Sequence, residues 1–95
     1  ALVRGWIVAG QPGLAVAPAD AFRSRSPGSA DALALAGDVQ FANAAPARAA
    51  LLYAKAAKIR ETWPLTQRTV AAYRALGRTE AANRLLARRL VADLM

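Results

Sequence analysis

Residues 30–62 read ADALALAGDVQFANAAPARAALLYAKAAKIRET, two helical patterns hinged at one short corner. Before the corner Leu33, Ala36, Gly37, Gln40 and Phe41 recur at helical spacing up to Ala42, and Ser29 stands where an N-cap belongs. After it Ala49, Leu52, Tyr53, Ala56 and Ile59 share one face, with Arg48, Lys55, Lys58 and Glu61 mostly on the other. The corner itself is Asn43-Ala44-Ala45-Pro46, and Pro46 suits a first helical turn because its missing N–H has no partner there anyway. Two helices joined by so few residues pack as antiparallel neighbours.

The same grammar extends outward in both directions. Toward the N-terminus the apolar segment Leu2 to Ala9 reads as the end of a helix and stops at the turn Gly10-Gln11-Pro12-Gly13. A helix then spans about Leu14 to Ser24, kinked at Pro18 or starting there, since a proline ring in a regular helix interior costs about 3 kcal/mol. Ser26-Pro27-Gly28-Ser29 breaks it. Toward the C-terminus Thr62-Trp63-Pro64 is the next break, and Leu65, Thr69, Val70, Tyr73 and Leu76 line one stripe of a helix from Leu65 to Leu76. Gly77 closes that helix and Thr79 is expected to cap a last one, Glu80 to about Leu94.

The composition agrees with an all-α chain. Of 95 residues 56% are hydrophobic but only 6% aromatic, and alanine makes up most of the excess. Alanine is the best helix former, whereas strands want the β-branched and aromatic residues that are sparse here. The length fits a single domain, residues 1–95.

Comparing the corners reveals a period. Ala15, Ala49 and Ala82 each stand five residues past a corner residue (Gly10, Ala44 and Gly77), at steps of 34 and 33. Trp6, Gln40 and Tyr73 stand four before those corners. Helix-turn-helix units at this spacing resemble the tetratricopeptide repeat family. The match is best in 30–62, where Leu33, Gly37, Ala49, Tyr53 and Ala56 fall on the family's small and large packing positions. The unit 63–95 keeps Tyr73, Gly77, Ala82 and Leu86 but has Arg89 where a small residue is usual. The unit 1–29 is truncated and carries Pro18. More narrowly, the alanine- and arginine-rich run from Ala36 to Leu86 is similar to bacterial members of that family, including lipoproteins that accompany exopolysaccharide and exosortase systems.

The resemblance implies a fold and a function. The expected architecture is antiparallel helix-turn-helix repeats stacked as a short right-handed superhelical solenoid with about three repeats. The first helix of each pair would line a concave groove, which places Arg4 and Ile7, then Asp31, Ala34, Asp38 and Phe41, then Gln67, Ala71 and Arg74 on it. The implied role is a non-catalytic interaction scaffold that binds a protein or peptide, with self-association through open repeat ends. A carboxylate-clamp member would need lysine and asparagine where Ala34 and Asp38 stand.

Residue types narrow the chemistry further. With no cysteine and no histidine, thiolate metal sites, disulfides and the commonest general base and nucleophile pairs are absent. No cofactor or metal is expected, and the compartment stays open between cytoplasm and a periplasmic, lipoprotein-anchored parent. Asp31 and Asp38, two turns apart, could serve as an acid/base pair, but no partner group supports that use. The longest apolar stretch, Trp6 to Ala19, is interrupted by Gln11, Pro12, Gly13 and Pro18, so no transmembrane helix is expected. The chain opens on Ala1 with no initiator methionine, which reads as a fragment of a longer protein. A net charge of +7 motivates the alternative of a basic helical nucleic-acid-binding module, for which the clusters Lys55, Lys58, Arg60 and Arg84, Arg88, Arg89 and the rings of Trp6, Tyr53, Trp63 and Tyr73 are the candidates. Spread charge and corner aromatics favour solvated faces and packing instead.

Overall fold

A left-handed residue recurs at each of the three aligned corners. Gly10 has φ 77°, Ala44 φ 60° and Gly77 φ 74° in the computed structural model, which describes residues 2–95. At all three the same pair of hydrogen bonds closes the preceding helix. Gln11 N donates to Trp6 O, Ala45 N to Gln40 O and Arg78 N to Tyr73 O, at 2.8–2.9 Å. One residue earlier Gly10 N reaches Ile7 O, Ala44 N reaches Phe41 O and Gly77 N reaches Arg74 O. These are Schellman closures, which satisfy carbonyls that a helix end leaves without partners.

Between such corners the described residues form six α-helices and no strand: α1 (Leu2–Val8), α2 (Val16–Arg25), α3 (Ala30–Ala42), α4 (Pro46–Ile59), α5 (Trp63–Ala75) and α6 (Thr79–Leu94). Ala1, the first residue of the expected 1–29 unit, lies outside the described residues. Ser29 caps α3 by accepting from Ala32 N at 3.1 Å, and Thr62 caps α5 by accepting from Leu65 N at 3.3 Å. Each such cap is worth about 1 kcal/mol. Pro46 opens α4 as its first residue.

Four local expectations need correction. A 3-10 turn, Pro12–Ala15, precedes α2, so that helix begins at Val16 and not Leu14. Pro18 is its third residue, where an N–H would have had no intrahelical acceptor, so no kink is required. Thr79 does not cap α6; it is the first helical residue, and Arg78 at the cap position makes no side-chain bond. Ile59, expected on the buried face of α4, is 49% exposed, because the chain turns away toward Arg60 at the end of that helix.

Each helix packs against its neighbours in sequence, and α1 also touches α3. The core consequently comes in two parts that share α3. One joins Val3, Ala15, Ala19 and Val39 between α1, α2 and α3. The other joins Ala34, Ala49, Ala50, Tyr53, Ala56, Leu65 and Ala72 between α3, α4 and α5. Ala15, Ala49 and Ala82, the periodic alanines, are all fully buried at 0% exposure. Small side chains at these crossings let helix backbones approach closely. Gly37 carries this furthest, since a methyl group there would sit 2.5 Å from Tyr53 Cε1 and 2.7 Å from Cδ1. The chain measures 39 × 28 × 18 Å, a slab about two helices thick. No helix among the described residues is long and apolar enough to cross a membrane.

Candidate functional site

Positions 4, 38 and 71 are separated by the same 34- and 33-residue steps as the corners, and the structure brings all three to one depression. Ile7 and Phe41, again 34 apart, line it as well. Its remaining walls come from Ala42, Tyr53 and Arg68, enclosing a volume of about 350 Å³. Helices α1, α3 and α5 supply every lining residue except Tyr53, which reaches in from α4.

Asp38 is the hub. Its side chain is only 14% exposed, and a carboxylate so placed needs partners. Tyr53 Oη donates to Oδ1 at 2.5 Å, Arg68 Nε lies 3.6 Å from the same oxygen, and Arg4 Nη2 lies 3.5 Å from Oδ2. Three helices are thereby tied to a fourth through one side chain. Burial pushes the Tyr53 phenol far above the ordinary tyrosine range; the hydrogen bond to Asp38 and that group's negative charge push the same way. Arg68 and Arg4 oppose this more weakly. Tyr53 is therefore a fixed donor, and Asp38 is held as an acceptor between two guanidiniums.

Of the residues expected on the groove, Arg4, Ile7, Asp38, Phe41 and Ala71 meet here. Asp31 and Ala34 line an adjoining depression of about 400 Å³ with Arg60, Thr62 and Pro64, and Arg68 borders both hollows. Gln67 and Arg74 are exposed on α5 and border neither. Asp31 and Asp38 line different hollows, and Asp38 already accepts from Tyr53.

Three members of the site escape the repeat pattern, Ala42 and the two polar residues Arg68 and Tyr53. Arg68 follows Gln67, and one residue is a rotation of about 100° around a helix, enough to exchange a groove position for a solvent one. The signal that points to it is spacing: Arg68 and Ala71 stand three apart on α5 and so share a face. Tyr53 has the role of a packing residue in the repeat pattern, yet a buried phenol needs a hydrogen-bond partner, and Asp38, one turn from Phe41 on the facing helix, supplies it.

A second polar cluster lies at the other end. Arg89 Cζ lies 5.1 Å from the ring centre of Trp63, whose Nε1 donates to Asp93. Glu61 approaches Arg88 and Arg89 at 4.0 and 3.9 Å. The basic trio of α6 is thus divided: Arg84 and Arg88 face solvent, while the Arg89 side chain, 16% exposed, turns inward. Among the described residues no three metal-ligating side chains gather closely enough to hold an ion. No protein-family model matches the chain, and no curated protein or solved structure matches it.

Proposed function

We propose that this chain is a tetratricopeptide-type interaction module, stacked as a short right-handed solenoid, that binds a peptide or protein segment on the face formed by α1, α3 and α5 and catalyses no reaction. The observation that carries the reading is the depression in which Arg4, Asp38 and Ala71 converge, because these residues share a repeat register and come from three successive pairs. The three identical helix closures and the buried alanines at Ala15, Ala49 and Ala82 support the repeat that this register assumes. A hollow with apolar walls and a few fixed polar groups is the ordinary form of a recognition site.

Amide chemical-shift mapping on the isotope-labelled chain with a mixed pool of short peptides tests it. Shifts gathered on Arg4 to Ile7, Asp38 to Ala42 and Arg68 to Ala71 are expected. Shifts confined to α2, α4 or α6, or none at all, would sink the reading. The net charge of +7 favours one competitor, a nucleic-acid binder. Tight binding of labelled DNA or RNA at about 50 mM salt, falling steeply by about 200 mM, would replace the peptide reading with that one.

A further inference from the structure

The charges of the depression are layered by depth. The Asp38 side chain is 14% exposed, whereas those of Arg4 and Arg68 are 56% and 36% exposed. A molecule arriving from solvent meets guanidinium before carboxylate. The two pairings, at 3.5 and 3.6 Å, are longer than the roughly 2.8 Å of a close charge-assisted bond. Each guanidinium has five N–H donors, so most of that capacity is left for a ligand. One carboxylate, already accepting from Tyr53, also cannot neutralise two arginines. Beside this surplus positive charge stand the apolar side chains of Ile7 and Phe41, the latter 39% exposed.

Resting on the peptide-groove reading, we infer that this site takes an acidic segment: one apolar side chain seats against Ile7 and Phe41 while flanking Asp or Glu carboxylates engage Arg4 and Arg68. Asp38 and Tyr53 are positioning residues that hold the arginines at the rim. Charge complementarity selects the partner, and the apolar wall selects a peptide over a nucleic-acid strand. Phe41 is a single platform beside one hollow, not the series of stacking rings along a basic track that a strand requires.

Fluorescence polarisation with labelled short peptide pools, each with a central leucine, reads this out. One pool is flanked by Asp and Glu, one by Asn and Gln, one by Lys and Arg; a labelled single-stranded oligonucleotide is the fourth probe. The acidic pool is expected to bind roughly tenfold more tightly than the neutral pool, a preference that falls to within about threefold in Arg4→Gln/Arg68→Gln and persists in Arg84→Gln/Arg88→Gln. Phe41→Ser should weaken the acidic and neutral pools together. On the unsubstituted chain, raising salt from about 50 to about 200 mM should weaken the acidic pool selectively, which keeps the test independent of how well a variant folds. Equal affinity for acidic and neutral pools, both weakened by Phe41→Ser, overturns this inference and leaves the groove standing. Binding of no pool overturns both. An oligonucleotide that outcompetes the acidic pool and depends on Arg4 and Arg68 overturns the inference in favour of nucleic acid.

Discussion

Helices α4 and α6 occupy equivalent places by spacing, yet they are buried very differently. Ala49, Ala50, Tyr53 and Ala56 of α4 are buried, while α6 buries Ala82 alone. The outer part of α6 leaves Leu90, Val91 and Leu94 more than half exposed. The cause is the number of neighbours: α4 is sandwiched between α3 and α5, whereas α6 packs chiefly on α5. An apolar face is therefore a property of the sequence, but its burial is a property of what lies beside it.

The difference is sharpest at one equivalent pair of positions. Ala56 is 0% exposed in the core, and Arg89, 33 residues on, lies against Trp63 with Glu61 and Asp93 nearby. Exchanging the two residue types should break the symmetry visibly. Ala56→Arg would force a charge without partners into a filled crossing and is expected to cost more than about 4 kcal/mol, leaving the chain largely unfolded by circular dichroism. Arg89→Ala removes a cation–π contact and long, partly exposed ion pairs, and is expected to cost only about 1 kcal/mol in a urea titration. Similar losses at both sites would show that α6 is packed as firmly as α4.

An effect smaller than that of Ala56→Arg sharpens the contrast between the two polar clusters. Tyr53→Phe removes the phenol that donates to Asp38 and should cost about 1–2 kcal/mol at neutral pH. Its pH dependence has a definite sign. The folded-state pKa of Tyr53 lies above its unfolded value, so its contribution is complete below about pH 10 and is lost as pH rises beyond that. The stability difference between the unsubstituted chain and the Tyr53→Phe variant, followed by denaturant titration, should therefore shrink above about pH 10. A difference that grows there would contradict the buried bond between Tyr53 and Asp38.

The smallest effect concerns the corners. Ala44 adopts a left-handed conformation at a position filled by glycine in the other two corners. That conformation costs a non-glycine residue about 1 kcal/mol. Ala44→Gly is expected to raise stability by up to about 1 kcal/mol and Gly77→Ala to lower it by a similar amount, measured as shifts in thermal midpoint. Opposite signs at equivalent corners would establish that one backbone geometry serves both.

Much of this architecture is legible without coordinates. The breaks at Gly10, Asn43 to Pro46, Thr62 and Gly77 are local chemistry, set by missing N–H groups, left-handed backbone and side-chain caps, and they fall where the helices end. Less legible is the start of α2, because a proline three residues into a helix and a proline inside one look alike in a one-dimensional pattern. Part of the depression is also readable, since Arg4, Asp38 and Ala71 follow the period. The repeat pattern selects Gln67 in place of Arg68, its neighbour about 100° around the helix, because the period fixes spacing along the chain and not the rotation of α5 against α3.

Residue order alone set the alternation of helix and corner and the periodic placing of small residues, which depend on near neighbours, and composition set the excess of positive charge. The three-dimensional arrangement settled the rest: that Tyr53 finds Asp38 and Asp38 finds two arginines from other helices, that Arg89 folds onto Trp63, and that the last helix keeps one apolar side uncovered. These outcomes depend on helix rotation and on how many packed neighbours each helix has, quantities that exist only once several helices share one core.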